Sequence, residues 1–259
     1  MKKKLVILPL LSISLCSFSQ DFIKVENQNG TVLGYSPNSG IKIITKDGLK
    51  FKDLNKNGKL DPYEDWRLPA EVRAKDLAKR MSVEQIAGLM LYSGHQTIPA
   101  KASGFGAGTY NGKSIEESGA NPWNLTDEQK KILKEDNLRH ILIVTVESPE
   151  VAAKWNNSMQ SYAESIGLGI PGNTSSDPRH AGQVSGGVKA EFNAGGSGEI
   201  SVWPDGLAMA ATFDPAVMKQ FGEVAAKEYR ALGITTALSP QIDLGTEPRW
   251  FRISMTYGE

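Results

Sequence analysis

The run Ile141-Leu142-Ile143-Val144-Thr145-Val146 shows no alternation of polar and apolar residues, so a strand of this composition needs cover on both faces. A parallel sheet flanked by helices supplies that cover. Ser148-Pro149 follows at once, a helix N-cap with proline in the first turn, and Val151, Trp155, Met159, Tyr162 and Ile166 then mark one helical face up to Gly167. The same grammar returns downstream. Asp214-Pro215 opens a helix with Met218, Phe221, Ala225, Tyr229 and Leu232 on one face, Gly233 stops it, and Thr235 to Leu244 reads as the next strand. Repeated strand and helix units predict a parallel α/β protein, either an open doubly wound sheet or a β/α barrel. Gly104-Phe105-Gly106-Ala107-Gly108 follows no strong strand and opens no helix, so it reads as a flexible loop, not a dinucleotide fingerprint.

Ahead of these units, Val25 to Gly34 and Ile41 to Lys46 read as short extended pieces separated by Asn-Gly, Pro-Asn-Ser-Gly and Asp-Gly turns. From Pro69 the spacing predicts a helix burying Ala74, Leu77, Ala78 and Met81. Ser82-Val83-Glu84-Gln85 is a capping box for a second helix through Ile86 and Leu89. Leu89 to Tyr92 then reads as a first buried strand, Ser93 to Trp123 as a long loop, and Thr126 as the cap of a charged helix to about Leu138.

The 29 basic and 29 acidic side chains leave no charge excess for a polyanion, so a nucleic-acid partner is not expected. That balance includes Lys2, Lys3 and Lys4, which precede the apolar stretch Leu5 to Leu15 and the small residues Ser17-Phe18-Ser19, the layout of a secretory signal peptide cleaved after Ser19. The stretch is short and broken by Pro9, so it predicts no stable membrane span. Without residues 1–19 the count is 26 bases against 29 acids, a net charge of −3. The single cysteine, Cys16, leaves with the signal, which removes disulfides and thiol catalysis. Leu15 stands where a lipoprotein anchor wants a small residue, so lipidation at Cys16 is not expected. The expected location is secreted or periplasmic.

The segment Asp53-Leu54-Asn55-Lys56-Asn57-Gly58-Lys59-Leu60-Asp61-Pro62-Tyr63-Glu64 has the spacing of a twelve-residue calcium loop. Asp53, Asn55, Asn57, Asp61 and Glu64 supply side-chain oxygens, Lys59 a backbone carbonyl, and Gly58 the sharp turn. Hard oxygen donors at this spacing suit Ca2+ in a structural role, away from the strand ends where parallel α/β proteins keep their chemistry. The other reading is a solvated Asn/Asp turn without metal, since Pro62 departs from the usual exiting helix.

Two further constellations fall at predicted strand ends. Ser175-Ser176-Asp177-Pro178-Arg179-His180 brings a carboxylate, a guanidinium and an imidazole together, to bind the hydroxyls of a polar ligand or to form an ordinary turn. Asp243 through Arg252 places Arg249 and Arg252 around Trp250-Phe251, as a ligand clamp with a stacking surface or as an internal ion-pair network. His95, His140 and His180 stand far apart without a His-Glu-x-x-His pair, which argues against zinc. There is no Gly-x-Ser-x-Gly elbow and no phosphate loop, and no organic cofactor is expected.

Three stretches carry a family resemblance. Arg73 to Met90 resembles the opening helix pair of the N-terminal barrel of glycoside hydrolase family 3. Val202-Trp203-Pro204 to Phe213-Asp214-Pro215, with Ala225 to Ile234, is similar to the stretch before that family's fourth barrel strand. Ser239-Pro240-Gln241-Ile242-Asp243-Leu244 through Pro248-Arg249-Trp250-Phe251-Arg252 resembles its most recognisable early motif. The resemblance implies an α/β fold with a partial (β/α) TIM-type barrel over 67–259, behind a signal peptide (1–19) and an arm with the EF-hand-like loop (20–66).

It also implies hydrolysis of terminal non-reducing β-linked sugars, with retention, on an oligosaccharide or β-glycoside substrate. β-Glucosidase is the leading activity; β-xylosidase, N-acetylhexosaminidase and a non-catalytic calcium-stabilised carbohydrate-binding protein are the alternatives. By the resemblance Asp177 and Arg252 hold the terminal sugar, with Arg249 and His180 as supporting residues. A carboxylate accepts from two neighbouring hydroxyls and a guanidinium offers paired donors, which suits that role. Met255 stands where the family often has a glutamate. The family's aspartate nucleophile and glutamate acid/base are expected beyond Glu259, so no residue here is assigned as catalytic, and the chain alone is expected to be an inactive front part of a longer enzyme.

Overall fold

The computed structural model describes residues 22–104, 106–177, 180, 200–240, 242–251, 253 and 256–258. The signal peptide and Cys16, together with Pro178, Arg179, Gln241, Arg252 and Met255, lie outside the described residues.

The arm consists of two antiparallel hairpins, β1 (Ile23–Glu26) with β2 (Val32–Tyr35) and β3 (Lys42–Lys46) with β4 (Leu49–Asp53). Asp47 and Gly48 both adopt positive φ, as a tight two-residue hairpin turn requires. β4 was not anticipated from the sequence; it ends at Asp53, where the calcium-type loop begins, and it buries Phe51 under Trp66 at 5.3 Å between ring centroids.

Two helices follow, α1 (Ala70–Arg80) and α2 (Val83–Leu89). The expected burial of Ala74, Leu77, Ala78 and Met81 is corrected: α1 buries no residue fully, and Ala74 and Ala78 are exposed. Arg73 and Arg80 instead tie α1 to the loop before it, through the Tyr63 carbonyl (3.1 Å) and Asp61 (3.0 Å). The capping box of α2 is complete, with Ser82 and Gln85 each bonded to the other's backbone N–H. Gly88 is a close approach: a Cβ there would stand 2.4 Å from the Asp136 carbonyl oxygen and 2.8 Å from the Asn137 backbone carbon. Gly88→Ala is expected to destabilise the fold by about 2 kcal/mol, because backbone cannot rotate aside as a side chain can. Chemical denaturation of the pair measures it, and a change below about 0.5 kcal/mol would contradict this packing.

The central sheet is parallel, in the order β5 (Gln96–Ile98), β6 (His140–Val146), β7 (Asn173–Ser176), β8 (Thr236–Ala237). Each strand thus neighbours its successor in the chain. The short helix α3 (Ile115–Ser118) and α4 (Asp127–Lys134) lie between β5 and β6, α5 (Pro149–Ser165) between β6 and β7, and α6 (Gly206–Ala210) and α7 (Pro215–Leu232) between β7 and β8. β6 buries Ile141, Ile143, Val144 and Val146, and α5 covers it with Trp155 and Met159. The cover inferred from the unbroken apolar run is therefore present in part, since Leu142 is only half-buried and Thr145 is exposed. Ser148 and Asp214 cap α5 and α7 through backbone N–H groups, with Pro149 and Pro215 in the first turns. Gly233 ends α7 in the left-handed region, and a side chain there would meet Asn156 of α5 at 2.6 Å.

Four boundaries differ from expectation. Met90 and Leu91 donate back to Ala87 and Gly88, so the apolar run Leu89 to Tyr92 finishes a helix and stays exposed from Met90 onward; only Tyr92 bridges to His140, and Gln96–Ile98 takes the strand position. The long loop from Ser93 to Trp123 accordingly contains β5 and α3. The charged helix ends at Lys134, because Leu138 and Arg139 turn down into β6 after Asn137 at positive φ. The last strand is two residues long, not Thr235 to Leu244: Pro240 has no N–H to donate, β8 is the sheet edge, and Ile242 and Leu244 are exposed.

The arm is fastened to α5. Glu164 accepts from Lys52 Nζ (2.6 Å) and the Ser36 N–H (3.1 Å), while Lys56 Nζ reaches the Ser165 carbonyl (2.6 Å).

Candidate functional site at the carboxyl end of the sheet

In a parallel sheet the strand ends that carry chemistry are the carboxyl ends, and β7 delivers Asp177 there, immediately after the fully buried Thr174, Ser175 and Ser176. Ser175 is fixed from both sides. Its hydroxyl donates to the Ile141 carbonyl (3.2 Å) and accepts from the Tyr92 hydroxyl. Strand alternation places Asn173, Ser175 and Asp177 in one register, and Asn173 Oδ1 accepts from the Thr235 and Thr236 hydroxyls at 2.8 Å each. Asp177 itself is half-buried.

His180 is buried, and its ring lies against α7. Nε2 stands 2.9 Å from Glu228 Oε2, the ring stacks on Tyr229 at 5.2 Å, and it meets Phe221 edge-on at 5.5 Å. The imidazole thus faces a helix. Asp177 offers its backbone carbonyl to the Tyr229 hydroxyl.

The loop after β8 places Arg249 in solvent, bonded to Glu247 of the same loop through Nε (2.7 Å) and a second guanidinium nitrogen (2.8 Å). That guanidinium pulls the Glu247 carboxyl below the usual range, and Phe251 beside it is exposed. Arg252, expected to share the sugar with Asp177, lies outside the described residues.

The calcium-type loop is entered from strand β4 and left through a turn at Asp61 to Asp65, so no helix-loop-helix frame holds it. Asp53 and Glu64 are buried. Asp53 accepts from the N–H groups of Asn57 (3.0 Å) and Gly58 (2.9 Å), and Glu64 from those of Leu54 (2.7 Å), Asn55 (3.2 Å) and Asp61 (2.9 Å). Burial raises the Glu64 carboxyl above its usual range, opposed by those N–H groups. The amide nitrogens of Asn55 and Asn57 both point at Asp61 Oδ2, at 2.7 and 2.8 Å. Among the described residues no three or more histidine, cysteine, aspartate or glutamate side chains are grouped to hold a metal.

The sequence profile described as the Glycosyl hydrolase family 3 N terminal domain matches residues 83–259, from the start of α2 through the Asp177 strand and beyond. The chain belongs to glycoside hydrolase family 3. It is 39% identical over 258 residues to the periplasmic beta-glucosidase/beta-xylosidase of Dickeya chrysanthemi, an alignment covering all of this chain and 35% of that protein. It is 34% identical over 198 residues to the probable beta-glucosidase C of Aspergillus oryzae, covering 76% of this chain and 28% of the fungal protein. With beta-glucosidase C of Emericella nidulans the identity is 31% over 217 residues, covering 82% of this chain and 31% of that one. The chain spans about a third of the length of these curated relatives. Its arm and calcium-type loop lie outside the family profile yet inside the alignment with the Dickeya protein.

Within this family 3 chain the residues that sequence reasoning missed are Glu228, Ser201 and Tyr92, whose hydroxyl reaches Ser175. The periodicity of α7 marks Tyr229 as buried, but nothing in the spacing says that its hydroxyl, and the carboxylate beside it, reach the loop after β7.

Proposed function

We propose that the whole protein hydrolyses terminal non-reducing β-linked sugars as a retaining β-glucosidase-type enzyme, with this chain supplying part of the sugar-holding side of the site. The observation that carries it is the position of Asp177: a half-buried carboxylate directly after a strand whose last three residues are fully buried, inside the segment matched by the family profile. A carboxylate so placed accepts from adjacent sugar hydroxyls, and Arg252 is its proposed partner. β-Xyloside hydrolysis is the second activity, favoured by the double name of the Dickeya relative. Kinetics of the purified whole protein on an aryl β-glucoside and an aryl β-xyloside, with the anomer of the first product followed by NMR, test both parts. Inactivity on each glycoside would remove the assignment, and an inverted first product would remove the retaining mechanism.

The same proposal extends to architecture and location. The succession of neighbouring parallel strands β5 to β8 supports a β/α barrel of which they form one wall, since the strand order of a doubly wound sheet reverses at a switch point. The sequence of residues 1–19 and the periplasmic relative support export of the protein. No helix among the described residues is long and apolar enough to cross a membrane.

Calcium is proposed for the Asp53–Glu64 loop on the chemistry of its donors: Asp53, Asn55, Asn57, Asp61 and Glu64 with the Lys59 carbonyl are all hard oxygens, and Gly58 has the positive φ of the sharp turn. Binding requires the two asparagine amides to present oxygen in place of the nitrogen now bonded to Asp61. Its role is structural, stiffening the arm where it meets α1 and α5. Excess chelator is expected to lower the melting temperature by several degrees and added calcium to restore it; a calcium-independent transition would contradict the site.

A further inference from the structure

Asp177 is not fixed by its own strand alone, because both it and His180, three residues further along the chain, are held by adjacent residues of α7. The Tyr229 hydroxyl bonds the Asp177 carbonyl. One residue earlier on the helix, Glu228 holds His180 and Ser201 through a fan of contacts. Its Oε2 stands 2.9 Å from His180 Nε2 and accepts from the Ser201 hydroxyl (2.9 Å), while Oε1 accepts from the Ser201 N–H (3.0 Å). The Ser201 hydroxyl in turn accepts from the Trp203 indole N–H (3.0 Å), and the Trp203 backbone N–H bonds the His180 carbonyl (2.7 Å). His180 has a φ of +47°, a left-handed conformation unfavourable for a non-glycine residue. Its buried, paired and stacked ring holds that conformation in place, so His180 is over-determined by α7.

We propose that Glu228 and Tyr229 are positioning residues for the sugar-holding carboxylate of Asp177. Helix α7 acts as a splint: Tyr229 sets the backbone from which the carboxylate projects, and Glu228 pins His180, three residues further along the chain, together with Ser201, so that the end of the strand cannot shift away from the sugar. This rests on the assignment of Asp177 to the sugar site. A carboxylate aimed at two hydroxyls loses both bonds on a shift of about 1 Å, so small losses of support cost activity out of proportion to stability.

Tyr229→Phe removes one hydroxyl and keeps the stacked ring, while Glu228→Gln keeps an acceptor for Ser201 and removes the charge facing His180. In the whole protein each is expected to lower kcat/KM on an aryl β-glucoside by about tenfold to thirtyfold while the melting temperature moves only a few degrees. The deciding measurement is a double-mutant cycle. With Asp177→Asn already in place, adding either variant is expected to cost less than about twofold, because the carboxylate that they aim is gone. Full additivity with Asp177→Asn, or unchanged kcat/KM in both single variants, overturns the positioning role. If Asp177→Asn alone leaves activity intact, the sugar-site assignment itself fails, a result separable from the other two. Should Tyr229→Phe fold poorly, Glu228→Gln carries the cycle alone.

Discussion

Asp177→Asn in the whole protein is expected to lower kcat/KM on an aryl β-glucoside by about 100- to 1,000-fold, roughly 3–4 kcal/mol of transition-state stabilisation. The substitution conserves volume but replaces one acceptor oxygen with a donor and removes the charge, so of two charge-assisted bonds to sugar hydroxyls one is lost and the other weakened. The fold should not change, since the Asp177 contact with α7 runs through its backbone carbonyl, which asparagine retains. Steady-state kinetics with a melting curve separate the two effects. A wild-type rate would take Asp177 out of the pocket.

Arg139→Met is expected to destabilise the chain by about 3 kcal/mol or more, with little change in any sugar contact. Arg139 is buried at the start of the sheet, on the opposite end from Asp177, and its guanidinium donates to the carbonyls of Leu133 (2.7 Å), Leu138 (2.8 Å) and Ile170 (2.8 Å). Burial lowers its pKa from the usual guanidinium range. Replacing a buried ion pair by apolar groups is often harmless, because both partners leave together. Here the partners are backbone and stay behind, so methionine strands the buried carbonyls of Leu133 and Leu138 and the half-buried one of Ile170. Urea denaturation of the variant measures the loss, and a cost under 1 kcal/mol would mean that water replaces the guanidinium.

Much of the architecture around these residues was legible. The unbroken run in β6, the caps Ser148, Thr126 and Asp214, and the stop at Gly233 each rest on interactions within a few residues, which sequence spacing encodes directly. The errors share one cause. Ala74 and Ala78 have a helical spacing but no partner surface, and Leu89 to Tyr92 is apolar without being covered, because burial depends on what the rest of the fold brings up to a face. Strand pairing is likewise non-local: Gln96–Ile98 wins its place beside β6 although its sequence is weakly apolar, and beyond Leu238, whose N–H still reaches the Ser176 carbonyl (3.0 Å), no strand pairing continues among the described residues.

The candidate site divides along the same line. Asp177, His180 and Arg249 were visible as polar residues at predicted strand ends, and the family resemblance gave Asp177 its proposed task. That the His180 ring faces Glu228 rather than open space, and that Arg249 closes on Glu247 two residues away, follows from geometry alone. The spacing of Asp53 to Glu64 was read as oxygens converging on a cation, while the fold shows those side chains satisfying the loop's own N–H groups and one another.

By itself the sequence determined the parallel α/β grammar, the capped helix starts and family membership, since each is written in residue types at short fixed spacing. Only the tertiary structure decided how Asp177 and His180 are held, because Glu228 and Tyr229 lie some fifty residues along the chain. Contacts at that separation form only when α7 packs back across the sheet.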